Sequence, residues 1–433
     1  MHVAVAGAGP TGLMVSGALA RRGHDVTLVD RDPGPVDETW NRRGVMQFRH
    51  AHAFRGQVHE TLEGLWPEAL QHWASVAEPV RIPTPGGERV IGTRSRRSTF
   101  ERSLRAAVAE ADGVVATTGH VDRLVVEGDR VRGLEVDGRV VRADLVVDAT
   151  GRQGLRRHDV AEAEGDCGIA YVNRGYRLVP GAEPGPTTMP LAYAGSFDGY
   201  QVLLFPHERG HFTVVFIRAT ADRDLRMLHE QAGFEAACRA VPALALWTDP
   251  GRSAPTTEVM VGGALRNVYH GARTRDGLVS VGDAVATTTP TAGRGIAMAA
   301  LQVGALTRVL DERAGDPRGT DDAVAAFDTW CDEQVRPWVE DHVEADTSRA
   351  ERFRGADVDP DRLTTADIAA AADADPSLAP VVGPYVGMQV LPATLEPLRG
   401  RAREIYAAGR RPPYAEGPTR DQLVAVVRRS FAR

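Results

Sequence analysis

The hydrophobic positions of the first thirty residues change their spacing twice. An unbroken apolar run at 3–5 predicts a buried strand; beyond Gly7-Ala8-Gly9-Pro10-Thr11-Gly12, the residues Leu13, Val15, Leu19 and Ala20 recur at helical spacing. A second apolar run at 26–29 stops on Asp30. This is a strand–helix–strand unit with glycines at its first crossing. Helical spacing returns over 54–73 through Val58, Leu62, Leu65, Trp66 and Leu70, which predicts a core-facing helix. Another helix is predicted from Arg97, with Ser98 as N-cap and Glu101 as its capping-box partner. Short strands then follow at 114–117, 121–127, 131–136 and 140–141, and the turns Glu127-Gly128-Asp129 and Asp137-Gly138 punctuate them as a meander. The wholly apolar strand within 143–151 belongs in the middle of a parallel sheet.

From about 167 to 265 the pattern becomes alternating, with strands at 200–205 and 211–217 paired around His207-Glu208-Arg209-Gly210 and a helix predicted over 225–241. This segment reads as an α+β unit whose sheet can roof a cavity. A turn at Asp276-Gly277, a buried strand at 278–281 and Gly282-Asp283 then return the chain to the first unit. Pro290, Gly293, Arg294 and Gly295 precede a small-residue helix over 296–310. Beyond 321 the chain reads as helical and polar, with one apolar stripe at Phe327, Trp330, Val335 and Trp338 and another at Leu423, Val424, Val427 and Phe431. The fold expected is α/β with an α+β insertion. A Rossmann-like domain at 1–165 and 266–320 is interrupted by a sheet domain at 166–265 and followed by a helical region at 321–433.

The glycine spacing carries the chemistry. Gly7 permits a tight strand-to-helix turn, Gly9 lets main chain approach a pyrophosphate, and Gly12 lets the helix press on the strand. The start of that helix offers N–H groups and a positive dipole to phosphates, and Asp30 can accept the hydroxyls of a ribose. Asp283 at a strand end, followed by a glycine-rich helix start at 293–295, makes a second site for a polar, partly anionic ligand. Between them, Arg42, Arg43, Arg49, His50 and His52 can neutralise a pyrophosphate, hold a substrate anion, or form a solvated basic loop. On a strand His50 and His52 would face one side together, but with no third ligand nearby they do not make a metal site.

Composition removes several classes. The 433 residues are 43% hydrophobic and 25% charged, as in a globular enzyme of two or three packed units. A net charge of −7 offers no general attraction to nucleic acid or an anionic membrane. Cys167, Cys238 and Cys331 lie far apart, which argues against disulfides or zinc and for a reducing, cytoplasmic setting. The first strand begins at once, so no signal peptide is expected, and no apolar run approaches the roughly eighteen residues of a membrane span. The chain contains no lysine, which excludes mechanisms that need a side-chain amine.

Four features in order, the GAGPTG turn with Asp30, the arginine-bearing helix at Arg97, the VVDATG strand and the GDAVATTTPTAGRG segment, resemble the FAD-dependent monooxygenases of the para-hydroxybenzoate-hydroxylase type. MQFRHAHAF, LVVDATGRQ and WVEDHVEADTSRAERF resemble the branch that includes polyether epoxidases. Epoxidase-like members carry a phenylalanine-asparagine pair before the proline, where this chain has Thr287, Thr288 and Thr289 before Pro290.

The resemblance implies that the turn from Gly7 and Gly9 through Pro10 and Thr11 to Gly12 holds the FAD pyrophosphate, and that Asp30, with Arg31 beside it, holds the adenosine ribose. It implies that Arg42 or its neighbour Arg43 approaches FAD, that Arg97 lies against the cofactor, and that Val121 offers main chain to adenine. Asp283 would bind the ribityl chain, while Pro290, Gly293, Gly295 and Ile296 would frame the pyrimidine edge of the isoalloxazine, with Arg294 as its electrostatic partner. His50 and His52 are further catalytic candidates, and Tyr176, Arg177, Tyr193 and Tyr200 are substrate-pocket candidates.

The reaction implied is insertion of one oxygen atom from O₂, as hydroxylation or epoxidation through a flavin C4a-hydroperoxide, into a small organic, secondary-metabolite substrate. NADH or NADPH would be the reductant, direct or through a separate flavin reductase. The alternatives are an FAD-dependent oxidase or dehydrogenase on the same fold, or a non-catalytic flavin-binding protein. Flavin halogenases share the scaffold but are known for a relay lysine and a WxWxIP stretch, and this chain has neither.

Overall fold

The computed structural model describes every residue except 38, 85, 153, 156–160, 264, 317 and 433, and the side chains of 273 and 274. Gln153, at the end of LVVDATGRQ, thus lies outside the described residues. The chain divides into two compact units. The first comprises Met1–Phe48, Ala53–Glu164 and Val268–Val339, and the second Arg49–His52, Gly165–Asn267 and Glu340–Arg433.

The first unit is built on a six-stranded sheet. Its order is Arg273–Arg275, Leu278–Ser280, Leu145–Asp148, His2–Ala6, Asp25–Asp30 and Val114–Thr118. All neighbouring pairs are parallel except the antiparallel edge pair Arg273–Arg275 with Leu278–Ser280. The interiors of the central strands His2–Ala6 and Leu145–Asp148 are apolar because both faces are covered. Ala4 and Ala6 pack with Val131, Leu134 and Val136 of a meander formed by Val121–Glu127, Arg130–Val136 and Arg139–Arg142. The helix Pro10–Ala20 packs against the helices Arg97–Glu110 and Gly295–Glu312. The strand at 114–118, read as the start of the meander, instead pairs in parallel with Asp25–Asp30 as a sheet edge.

The single helix expected over 54–73 is a short strand, Phe54–Arg55, and two helices, Gly56–Leu65 and Pro67–Ala74. The break falls at Trp66, whose φ −152° and ψ 69° lie outside the helical region, from which the residue before a proline is driven. An antiparallel pair, Glu78–Thr84 with Gly87–Arg94, joins that short strand and had no periodic signal strong enough to read.

In the second unit the sheet order is Tyr193–Phe197, Tyr200–Pro206, His211–Ala219, Ile169–Leu178 and Ser253–Pro255, with Met260–Gly262 also paired to Ile169–Leu178. Alternate residues divide between its faces. Val172, Tyr176, Val202, Leu204, Val214 and Phe216 form a core with Phe234, Leu244, Leu423 and Val427 from the covering helices. Tyr171, Leu203, Val215 and Ile217 form a separate cluster with Leu265 and Ala350 on the other face. The helix predicted over 225–241 is interrupted at Glu230, whose extended backbone separates the 3₁₀ turn Leu225–His229 from the helix Gln231–Ala240. The last helix, Arg420–Arg429, starts in a Thr419–Gln422 capping box and buries Leu423, Val424 and Val427, whereas Phe431, expected on the same stripe, is exposed. Arg420 holds this helix to the second unit through a forked pair on Asp222, at 2.7 and 2.9 Å.

Candidate functional site

The first glycine turn lies where the sheet reverses direction. The chain leaves His2–Ala6 toward one edge through Asp25–Asp30 and Val114–Thr118, and toward the other through Leu145–Asp148. In such sheets the crevice outside the carboxyl ends of the strands at this switch point receives ligands. Gly7 has φ +99°, and a Cβ there would lie 2.5 Å from the Ala149 carbonyl oxygen. A Cβ on Gly12 would lie 1.8 Å from the Gly7 carbonyl oxygen. Gly9 is the N-cap of Pro10–Ala20, no side chain caps that helix start, and a Cβ on Gly9 would meet only Arg42 Nη1, at 3.6 Å.

The turn is held at two adjacent peptide units, through the N–H and the carbonyl of Ala8. Asp30 Oδ2 accepts the Ala8 N–H at 2.6 Å, and Arg105 Nη2 donates to the Ala8 carbonyl at 3.2 Å. Arg42 Nη2 donates to the same Asp30 oxygen at 2.6 Å, and Arg42 Nη1 donates to Glu101 Oε2 at 2.9 Å. The other oxygen of Glu101 accepts Arg97 Nε at 2.6 Å. Burial alone would lower the Arg42 pKa, but the Glu101 and Asp30 carboxylates outweigh it and raise it. Arg42, not Arg43, is therefore the arginine beside Asp30; Arg43 and Arg31 are exposed. Val121 is half-buried and close in sequence to Gly119, whose N–H bonds the Asp30 carbonyl at 2.9 Å.

Glu101 and Arg105 are the functional candidates that the sequence pattern did not disclose. Glu101 had been assigned to a capping box with Ser98, but the N-cap of Arg97–Glu110 is Arg96 and no side chain caps it. Both residues face inward from the helix, one turn and two turns after Arg97.

The second segment meets the first. A Cβ on Gly282, at φ +68°, would lie 2.5 Å from Thr11 Oγ1, and the Gly282 N–H is accepted at 2.7 Å by Gln302 from the helix Gly295–Glu312. Asp283 follows. Burial pushes its pKa up, against the opposing pull of the Arg97 and Arg152 guanidiniums. Pro290 opens a short 3₁₀ turn that ends on Gly293 at φ +60°, and the 18-residue helix then starts from Arg294 with no side-chain cap. A Cβ on Gly295 would meet nothing within 4 Å, and Ile296 is half-buried. Arg294 is buried, with its guanidinium 4.4 Å from the centre of the Trp338 ring.

The candidates in the second unit distribute differently. Tyr176, Tyr193 and Tyr200, expected at a substrate pocket, lie in the buried core on the helix-covered face. Tyr176 OH donates to Glu235 at 2.7 Å and Tyr200 OH to the Pro418 carbonyl at 2.7 Å. Aromatic residues on strands gave no sign of which face they occupy. Arg177 is exposed near its strand end. His50 and His52 are not on a strand. The His50 Nδ1 lies 2.8 Å from Tyr171 OH, with the rings edge to face, and the His52 ring turns back to the His50 carbonyl at 2.9 Å. Tyr171, a partner unread from sequence, is on the opposite face from the three core tyrosines. The three cysteines are free and buried, and among the described residues no group of three or more His, Cys, Asp or Glu side chains is placed to hold a metal ion.

A family model for an FAD binding domain matches residues 1–55, and one for tryptophan halogenase matches residues 95–352, more than half of the chain. The chain belongs to the tryptophan halogenase family. With the FAD-binding match this makes it an FAD-dependent flavoprotein of the monooxygenase type. The missing lysine and WxWxIP stretch therefore do not remove it from the halogenase family, although they still bear on its chemistry. It is 27% identical to Protein Rv3254 of Mycobacterium tuberculosis over 373 residues, covering 73% of this chain and 74% of that protein. It is 25% identical to kynurenine 3-monooxygenase of Salinispora tropica over 222 residues, 48% of this chain and 49% of that enzyme. The solved structure of the flavin-dependent brominase Bmp2 aligns with a TM-score of 0.66 at 15% identity, over 95% of this chain and 100% of that one, which is a likeness of fold.

The residues of this family member fit FAD. Two helix starts lack side-chain caps, and each is approached by glycines that leave main chain open, at Gly9 and at Gly295. Uncapped N–H groups of this kind suit a pyrophosphate and an electron-rich ring edge. No helix among the described residues is long and apolar enough to cross a membrane.

Asp283 supplies a pH test. A carboxyl whose folded pKa is raised binds more protons folded than unfolded, so its penalty grows as pH rises from the ordinary carboxylate range through the raised value. In FAD-free protein Asp283→Asn should therefore be more stable than wild type at neutral pH, with the difference vanishing in acid, and should bind FAD more weakly. Thermal melts across pH check the first and FAD titration the second; an apoprotein melt unchanged at neutral pH would contradict the assignment.

Proposed function

We propose that the protein inserts one oxygen atom from O₂ into a small organic substrate of secondary metabolism, by hydroxylation or epoxidation, with NADH or NADPH as reductant, direct or through a separate flavin reductase. The observation that carries this reading is the presence in one unit of two uncapped helix starts, with a buried chain of Asp30, Arg42, Glu101 and Arg97 that runs from the first glycine turn to an arginine whose charge acts on Asp283. Bound FAD supplies the redox chemistry with O₂. The chain's own residues bind and orient it. Asp30 with Arg42 would take the adenosine ribose, the turn Gly7 to Gly12 the pyrophosphate, Asp283 the ribityl hydroxyls, and Gly293 to Ile296 the pyrimidine edge. There the helix dipole favours the negative charge of reduced flavin. Within the second unit, Tyr171 with His50 forms a pair that can hold or move a proton at a hydroxyl group.

Halogenation is the second reading, favoured by the family model. A chain without lysine has no amine to carry a hypohalous acid, which favours oxygenation. Turnover of a panel of phenols and alkenes under ¹⁸O₂ with chloride and bromide present separates these readings. Oxygenation predicts one ¹⁸O atom in the product. A halogenated product, or hydrogen peroxide with unlabelled product, would replace it with the halogenase or the oxidase.

A further inference from the structure

At each glycine turn an arginine holds the turn's carbonyls from outside. At the first, Arg105 takes the Ala8 carbonyl. At the second, Arg55 does more: its Nη2 donates to the Ala292 carbonyl at 2.5 Å and its Nε to the Gly293 carbonyl at 3.1 Å. Arg55 is placed for this by its position as N-cap of the helix Gly56–Leu65, with Phe54–Arg55 paired to Thr93 and Gly92 of the neighbouring strand. A Cβ on Gly293 would lie 2.7 Å from the Cβ of Ala53, so the same short segment also presses the turn from beside Arg55.

In a trans peptide the carbonyl and N–H point in opposite directions. Drawing the Ala292 carbonyl to Arg55 aims the Gly293 N–H the other way, where it bonds the Pro290 carbonyl at 3.0 Å. Drawing the Gly293 carbonyl to Arg55 likewise turns the Arg294 N–H away from the guanidinium, at the start of the uncapped helix. Two carbonyl oxygens left unheld at this position would set negative partial charge against an electron-rich ligand. Arg55 covers both and adds a formal positive charge behind the turn.

We infer that Arg55 is a positioning residue for the flavin-binding turn 290–295, fixing its peptide planes so that the Arg294 N–H is left facing the cofactor while the Gly293 N–H closes the turn on Pro290, and biasing the site toward reduced, anionic flavin. This rests on the assignment of that turn to the isoalloxazine. The fork matters as well as the charge. A lysine ammonium keeps the charge but lacks the planar pair of donors that spans two adjacent carbonyls.

The test compares wild type, Arg55→Gln and Arg55→Lys by FAD titration and by redox titration of the bound flavin. Arg55→Gln should favour reduced over oxidised FAD about tenfold less, the scale of a lost hydrogen-bonded charge. For a two-electron couple this is a midpoint potential about 30 mV more negative. Arg55→Lys should restore most of the potential while FAD still binds more weakly than to wild type, a split that a merely structural role would not produce. Wild-type potential and affinity in Arg55→Gln would overturn the inference. Should that variant not fold, wild-type FAD affinity in Arg55→Lys would overturn it equally. Failure of wild type itself to bind FAD would instead strike the assignment of the turn.

Discussion

Glu101→Ala is expected to lower the stability of the protein by about 3–5 kcal/mol, the cost of removing one partner from a buried ion pair, and to weaken FAD binding. Glu101 is fully buried and accepts from Arg42 at 2.9 Å and Arg97 at 2.6 Å. Both arginines are themselves buried, at 6% and 8% exposure, so water does not replace the lost carboxylate. Arg42 would retain Asp30, but that carboxylate would then answer a guanidinium no longer oriented from its other side. Arg97, whose charge acts on Asp283, would lose the anchor one turn along its own helix. The damage should thus reach residues assigned to both ends of the cofactor. Glu101→Gln keeps the volume and one acceptor and should fall between alanine and wild type. Chemical denaturation of apoprotein and FAD titration measure the two effects; a folded Glu101→Ala protein with wild-type FAD affinity would show the chain of charges to be incidental to binding.

Gly12→Val is expected to weaken FAD about tenfold to hundredfold, taking about 1–3 kcal/mol of overpacking as the displacement the turn must absorb. The first added carbon would sit 1.8 Å from the Gly7 carbonyl oxygen, which is main chain and cannot turn aside. The helix Pro10–Ala20 would have to back away from its strand, carrying its N–H groups from the position that Gly9 leaves open. Gly23→Val is the control, since a Cβ there would meet nothing within 4 Å, although φ +78° adds strain at the surface turn. Equal FAD affinity in Gly12→Val and wild type would separate the glycine turn from the cofactor.

The parallel sheet and both glycine turns were legible because they are written in local signals: apolar runs, a change of period, and glycines where main chain must approach main chain. The breaks at Trp66 and Glu230 were less so. An apolar stripe continues across a break whenever both pieces bury the same face, and at Trp66 only the following proline marked the stop. The faces of Tyr176, Tyr193 and Tyr200 were not legible because an aromatic ring suits a core and a pocket equally, and only strand register decides between them. Glu101 was misread for a related reason. A glutamate three residues after a serine matches a capping box, yet here it looks inward to Arg42, whose partner lies 59 positions away. His50 with Tyr171, and Arg55 with Ala292 and Gly293, are likewise pairings across long stretches of chain, which no local pattern encodes.

Crystals of the protein grown with FAD test the account most directly. The electron density should show one FAD per chain, with the adenosine ribose at Asp30 and Arg42, the pyrophosphate over Gly9, and the pyrimidine edge of the ring at Gly293 to Ile296. Density for FAD running in the opposite sense, or lying away from either glycine turn, would contradict it.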